Sequence, residues 1–270
     1  ILLAILVGLL AGFLPALFFS RIKPIQVLRD VSALKVFRRV TLRKTLIIIQ
    51  YGLSLIFITT TLIGYAQYRS FLTFDLGFTT DNILNINLKG NKGAVLANEL
   101  SQIPGVVEVS KSQLITSLGS MGGTTMKYKD SQDSALVWHN MVDEHYLPIH
   151  KHKLLAGTNF TRHPKKGEEE SEVIVNEQVI RRFNIAKRNP QKALGEQVVV
   201  DKKKLTIVGV LKDFHYGTME KQIEPVMFRY FTDQLGGYLN VKVATTDLPA
   251  TMANIEEVWR KLDKIHPMEA

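Results

Sequence analysis

No charged side chain interrupts positions 1–19 (ILLAILVGLLAGFLPALFF) or positions 45–65 (TLIIIQYGLSLIFITTTLIGY). Each run is long enough to cross the roughly 30 Å hydrocarbon layer of a bilayer as a helix, so the pattern predicts two membrane-spanning helices. The second continues with helical character to Leu76, with Gly77 as its stop. At 1.5 Å per residue, 45–76 would be a rod of about 48 Å, longer than the membrane is thick. From Asn82 onward the pattern changes to short alternations. Leu84, Ile86 and Leu88 read as a half-buried strand, and 94–100 reads as a short helix ended at Pro104-Gly105. Further strands are expected at 106–109, 135–142, 172–175, 205–210, 225–230 and 239–244. Asn176 is placed to cap a helix carrying Val179, Ile180 and Phe183, and Asp247 to cap a last one carrying Ile255, Trp259 and Leu262. The fold class expected is a membrane protein with two transmembrane α-helices and a mixed α+β extracytoplasmic domain.

Within the first run Ala4, Gly8, Gly12 and Ala16 recur every fourth residue, one face where another helix can approach closely. Pro15 loosens its last turns. In the second run Gln50 and Ser54 share a face for hydrogen bonding to a neighbouring helix. Neither run holds Asp, Glu, Lys, Arg or His, which argues against an ion or proton relay through them.

Charge decides sidedness. The chain has 270 residues and a formal net charge of +9. The connector 20–44 carries Arg21, Lys23, Arg29, Lys35, Arg38, Arg39, Arg43 and Lys44 against Asp30 alone, and so accounts for +7 of that excess. Short basic loops stay cytoplasmic, so everything after about Tyr65 is expected on the outer side. With the charge so confined, a nucleic-acid-binding reading loses its support. Val27, Leu28, Val31 and Leu34 fall at helical spacing, as in an amphipathic segment that meets lipid phosphates or docks a cytoplasmic partner. The chain opens without Met inside an apolar run that lacks a cleavage site, and reads as a piece of a longer polypeptide.

Motifs for chemistry are scarce. With no Cys, disulfides, thiolate metal sites and cysteine nucleophiles are excluded. No phosphate-binding G-x-x-x-x-G-K-[ST] loop is present, so the chain is not expected to hydrolyse ATP unaided. His139, His145, His150 and His152 cluster with Asp143 and Glu144, but their spacing matches no compact ligand set. They read as surface and capping histidines, around a packing segment at 146–149. Asp213 and His215 in KDFHYG could be a carboxylate and base without a third partner. The simpler reading is a turn in which Asp213 bonds its own backbone and Gly217 supplies a permissive dihedral. Residues 162–171 read as a solvated charged loop, and Asn159-Phe160-Thr161 as a chance sequon.

Several segments resemble the FtsX/MacB-type ABC transporter permeases, in particular tandem fusions of two permease halves. Gly12-x-x-Pro15-Ala16 followed by Pro24-Ile25-x-x-Leu28-Arg29 is similar to the end of the last membrane helix of one half. Leu42-Arg43-Lys44-x-Leu46-Ile47-x-x-x-Gln50 is similar to the start of the next. Phe74-Asp75-Leu76-Gly77-Phe78 resembles the family's junction between stalk and outer domain. Val142-Asp143-Glu144-His145-Tyr146-Leu147, Leu155-Ala156-Gly157, Val175-Asn176-Glu177 and the stretch from Ile207 to Tyr216 resemble the MacB-like periplasmic core in order and spacing. Thr158 departs from the Arg that many relatives carry there, and the family continues past Ala270 into three more membrane helices.

The resemblance implies a last helix of one half at 1–19, a cytoplasmic connector at 20–44, a helix and stalk at 45–76, and a MacB-like extracytoplasmic core at 77–270. It implies a noncatalytic permease in a bacterial plasma membrane, with no catalytic, metal or cofactor residues, because ATP is bound by a cytoplasmic ABC ATPase partner. A second permease half or copy packs on Ala4, Gly8, Gly12 and Ala16. Arg21, Lys23, Arg29, Arg38, Arg39, Arg43 and Lys44 lie near the ATPase, and the outer domain meets a periplasmic adaptor or cargo for export or mechanotransmission. The residues themselves leave two rivals open: a membrane-anchored sensor, and an anchored hydrolase that uses Asp213 and His215.

Overall fold

The computed structural model describes residues 36–118, 122–164, 168–218, 221–230 and 237–269, together with Phe13 and Ala16. Ala4, Gly8 and Gly12 of the small-residue stripe, Arg21, Lys23 and Arg29 of the connector, and the amphipathic pattern from Val27 to Leu34 lie outside the described residues. The chain divides into two units, Ile1–Leu72 and Thr73–Ala270.

In the first unit a single helix, α1 (Val36–Leu72), replaces the expected break at Thr45, and it ends before Leu76. Arg38, Arg39, Arg43 and Lys44 are therefore helical, and no proline or glycine between Val36 and Gly52 interrupts the hydrogen-bond ladder. Its 37 residues correspond to a rod of about 55 Å. Lys44–Leu72 is long and apolar enough to cross a membrane, with a mean hydropathy of 2.0. Every side chain from Lys44 to Leu72 is exposed, including Ile48, Phe57 and Leu62, an apolar surface that water does not tolerate. Thr61 Oγ1 donates to the Phe57 carbonyl at 2.8 Å, which satisfies the hydroxyl inside its own helix. Among the described residues this is one candidate span where two were expected.

The second unit is two lobes of one sheet. The first lobe is the antiparallel triplet β1 (Ile83–Asn87), β10 (Tyr238–Val243) and β2 (Val106–Ser112), with β10 in the middle. Helices α2 (Gly93–Leu100) and α6 (Leu248–Leu262) cover it, and Leu96, Leu100, Ile255 and Trp259 complete the core with Ile86, Leu239 and Val241. The α6 signal was legible in the sequence: Asp247 Oδ1 accepts from Ala250 N at 3.1 Å, and Ile255 and Trp259 are buried.

The second lobe is a ring. Strands β4 (Asp130–Val142), β3 (Gly122–Tyr128), β7 (Gln197–Val200), β8 (Lys203–Leu211), β6 (Glu172–Asn176) and β9 (Val226–Tyr230) pair in that order, and β9 returns to pair in parallel with β4. Strand β5 (Leu154–Gly157) adds to β8. All five residues of β6 are buried, because the strand has a core on either side. Val173 and Val175 meet Met126, Val137, Val198 and Val200, whereas Ile174 meets Phe214 and Phe228. Opposite β6 the register slips, so that Ile207 pairs with Val173 but Gly209 with Ile174, and Val208 becomes the bulged residue. Gly157 lies across from Gly209 with φ +77°, and a Cβ on it would sit 2.1 Å from the Val208 carbonyl oxygen. The Leu-Ala-Gly and Ile-Val-Gly segments are thus two halves of one close backbone approach. Thr158 shares in it, its N–H donating to Val208 O at 3.0 Å.

Short helices α3 (Tyr146–Ile149), α4 (Glu177–Arg182) and α5 (Pro190–Ala193) decorate the ring. Asn176 caps α4 as expected, accepting from Val179 N at 3.2 Å. The charged stretch 162–171 is not simply solvated. Glu170, its side chain largely covered, holds the buried Arg229 through its Nε at 3.0 Å, while Arg229 Nη1 reaches Asp201 at 2.7 Å. Burial forces the pairing, since a lone buried guanidinium would be costly.

Candidate functional site at the junction after the apolar helix

Residues 73–80 lead from α1 into the ring lobe, and backbone hydrogen bonds fasten them there. Asp75 Oδ1 accepts from Gly77 N at 2.8 Å, which turns the chain through a glycine at φ +85°. A Cβ at Gly77 would lie 2.9 Å from Phe214 Cβ and 3.1 Å from the Asp213 carbonyl, so glycine is required twice over. His215 N donates to Leu76 O at 2.9 Å, and Thr79 N donates to His150 O at 2.8 Å. The imidazole returns the contact, with Nδ1 3.0 Å from Thr79 O. A carbonyl only accepts, so Nδ1 carries the proton and Nε2 is the bare nitrogen.

Behind this backbone seam lies an aromatic box. Phe78 stacks on His152 at 5.0 Å and meets Phe214 edge-on at 6.0 Å. His152 stands edge-on to Phe214 at 4.7 Å and to Phe228 at 5.2 Å, and Tyr146 covers His150 at 4.3 Å. Phe74 rests against the His215 ring at 4.7 Å. Burial pushes His150 down to about 4, with the hydrogen bond to Thr79 offsetting only part of it. Burial also pushes His152 well below the ordinary imidazole range. The Nε2 atoms of both are buried without a hydrogen-bond partner among the described residues. These are uncharged rings acting as aromatic filler, not the surface and capping histidines expected. The expectation failed for these two because the intervening Tyr-Leu-Pro-Ile folds as α3 and the chain leaving it turns His150 and His152 inward. His145 alone stays exposed, between Glu108 at 3.1 Å and Glu144 at 3.7 Å. Among the described residues no three metal-ligating side chains converge.

The KDFHYG segment is the clamp on the other side. Asp213 does not bond its own backbone. It accepts from Gln178 Nε2 at 2.7 Å, from Gln178 N at 3.2 Å and from Arg181 Nη1 at 3.3 Å, while its own N–H donates to Glu177 at 3.2 Å. Desolvation raises its pKa in spite of these donors. The permissive dihedral belongs to Gly77, not Gly217. Asp213 is thus committed to α4 and His215 to Phe74 and Leu76, which leaves neither poised as a catalytic pair. The sequon is committed as well, for Asn159 Nδ2 donates to Glu144 O at 2.6 Å.

Comparison with known proteins follows this geometry. The family described as MacB-like periplasmic core domain matches residues 45–258. The periplasmic region of MacB from Actinobacillus actinomycetemcomitans superposes with a TM-score of 0.51 at 16% identity, over 72% of this chain and 89% of that one. The extracellular domain of the noncanonic ABC-type transporter YknZ from Gram-positive bacteria gives 0.48 at 17% identity, over 68% and 94%. No curated protein matches the sequence. The family match spans most of the chain, and the ring, the helix-backed triplet and the long apolar helix before them agree with it. The chain belongs to the MacB-like periplasmic core domain family of ABC-transporter permeases, membrane proteins with an extracytoplasmic domain.

Proposed function

We propose that this chain is the part of an ABC-transporter permease that converts ATPase-driven helix movement into movement of an extracytoplasmic domain. The observation that carries the reading is the junction. Backbone hydrogen bonds at Leu76 and Thr79, and the aromatic box around Phe78, bind the segment after α1 to the ring. A flexible tether would dissipate a push or a twist, whereas a clamped one passes it on. The absence of ionisable residues from 45–65 suits force transmission better than passage of a charged solute. In this reading a cytoplasmic ATPase binds the nucleotide. Arg21, Lys23, Arg29, Arg38, Arg39, Arg43 and Lys44 face it, and Ala4, Gly8, Gly12 and Ala16 pack against another permease helix in a bacterial plasma membrane.

The test is copurification of the full-length protein from membranes, followed by assay of ATPase rate and transport. An ATPase should accompany the wild type. Gly77→Val should keep the ATPase bound yet uncouple its turnover from outer-domain function by at least tenfold. Isolation of an intact protein without any nucleotide-binding partner would overturn the proposal.

A further inference from the structure

Strand β1 is the first element that the chain forms after the junction, and its five residues pair with β10 along one side. At its near end Asp81 O accepts from Lys242 Nζ, and Asn82 O accepts from Val243 N at 2.9 Å. A pull arriving from the junction therefore enters β1 directly, and an edge strand opens more readily than a central one. The sheet joins the lobes narrowly. Among the described residues one ladder pair links them, Ser112 with Val142 of β4. A groove of about 540 Å³ lies between the lobes, walled by α2 and β2 on one side and by Asp143, Glu144 and Tyr230 on the other. Whether the small lobe moves as one piece depends on what holds its own parts together.

The far end of β1 is pinned by the segment that follows α6. Asp263 leaves that helix in an extended conformation (φ −122°, ψ 106°), and the chain doubles back to β1. Asp263 is only 8% exposed, and four donors meet its carboxylate. Oδ1 accepts from Ile265 N and His266 N, each at 2.9 Å. Oδ2 accepts from Asn91 Nδ2 at 2.8 Å and from His266 Nδ1 at 2.9 Å. The His266 N–H and these other donors hold the carboxyl well below its ordinary range. The buried Trp259 indole donates to His266 O at 2.9 Å. Glu269 O then accepts from Asn87 N at 3.0 Å, on the edge of β1 that β10 leaves free, and the Glu269 carboxylate pairs with Lys89. The end of α6 is thus tied to β1 and to the turn after it.

We infer, resting on the force-transmitting reading of the junction, that residues 263–269 are a mechanical brace, with Asp263 as its positioning residue, that makes the small lobe follow the junction as one body. A pull that peeled β1 from β10 would be spent on local opening. With the far end of β1 riveted to α6, the same pull carries β1, α2, α6 and the core they share. A carboxylate suits the rivet, because its bonds to N–H donors are charge-assisted and stronger than neutral ones. The small lobe then turns against the ring about the Ser112–Val142 strip, which changes the width of the groove.

Hydrogen exchange and spin-label distances on the full-length detergent-solubilised protein test the brace. The exchange arm needs neither nucleotide nor ATPase. The amides of Asn87, Ile265 and His266 should exchange about tenfold faster in Asp263→Ala than in the wild type, and Asp263→Asn, which keeps an acceptor for two of the N–H groups, should fall between. The chain has no cysteine, so Leu136→Cys on β4 and Leu248→Cys on α6, both exposed, take labels without background. In the preparation that retains its ATPase, nucleotide should shift the distance between the labels. Asp263→Ala should abolish that shift while the ATPase stays bound. Lys89→Ala combined with Asn91→Ala leaves α6 and Asp263 in place, should have the same effect, and serves if Asp263→Ala folds poorly. Unchanged exchange in Asp263→Ala, a shift that survives in either variant, or no shift in a wild type with its ATPase bound would overturn the brace and leave the transporter reading standing. Isolation without any ATPase is the separate result that overturns the transporter reading, and the brace with it.

Discussion

The junction and the inter-lobe groove both bury ionisable side chains, but they treat charge in opposite ways. At the junction His150 and His152 are enclosed by Phe78, Tyr146, Phe214 and Phe228, and burial empties them of charge. At the groove Asp143 keeps an unanswered oxygen beside two more carboxylates and an exposed imidazole. The first region is closed and stacked, a place to hold the chain rigidly. The second is open and ionic, lined by Glu108, Lys111, Asp143, Glu144 and His145. The same domain thus holds one closed and one open set of ionisable side chains, and experiments can separate them too.

Removing the stacking should have the largest effect. Phe214→Ala opens a cavity in the aromatic box, with a cost of roughly 3–5 kcal/mol in urea unfolding of the detergent-solubilised protein. The chain has two tryptophans, Trp138 in the ring and Trp259 in the small lobe. Fluorescence changes that begin with Trp138 would place the damage in the ring, and a loss under 1 kcal/mol would deny that the box is a packed unit.

Titration distinguishes the two regions next. The folded pKa values of His150 and His152 lie below the unfolded value near 6.5. Their contribution is therefore full above about pH 6.5 and is lost as pH falls toward 4, by roughly 3 kcal/mol for the shift at His150. His150→Phe should flatten that acid limb. Asp143 has the opposite sign. Its folded value of about 7 lies above the unfolded value near 4, so its contribution is full below about pH 4 and is lost as pH rises toward 7. Asp143→Asn should remove that loss, gaining on the wild type by roughly 4 kcal/mol between pH 4 and pH 8, with part of the gain already present at pH 5. If both variants changed the same limb, the contrast would collapse. The smallest effect belongs to a control outside both regions: Arg260→Ala breaks an exposed pair with Glu256 and should cost under about 0.5 kcal/mol at any pH.

Much of this was legible from residue pattern. The caps at Asn176 and Asp247, the apolar run of β6 and the amphipathic stripe of α6 depend on neighbours in sequence, and each appears where the pattern puts it. What escaped depends on distant partners. β3 reads Gly-Gly-Thr-Thr-Met-Lys-Tyr, with a weak apolar signal, and is a strand because β4 and β7 flank it. β5 and β7 have four residues each and acquire their identity from β8. The junction was only half visible. Phe74 to Phe78 and the KDFHYG stretch stood out separately, but nothing in either says that Gly77 must sit under Phe214. The inward turn of His150 and the pairing of Glu170 likewise follow from tertiary partners, Thr79 and Arg229.

The small lobe has one more consequence, for biosynthesis. Its central strand, β10, arrives after the whole ring, yet β1 and β2 have only β10 to join them. A chain emerging N-terminus first must leave those two strands waiting, apolar sides uncovered, while more than a hundred residues are added. The ring, whose strands all lie between β2 and β10 in sequence, is free to close in the meantime. Until β10 follows, β1 therefore waits for its strand partner while β2 has only its Ser112–Val142 pairing with β4 among the described residues, a natural point for a chaperone to intervene.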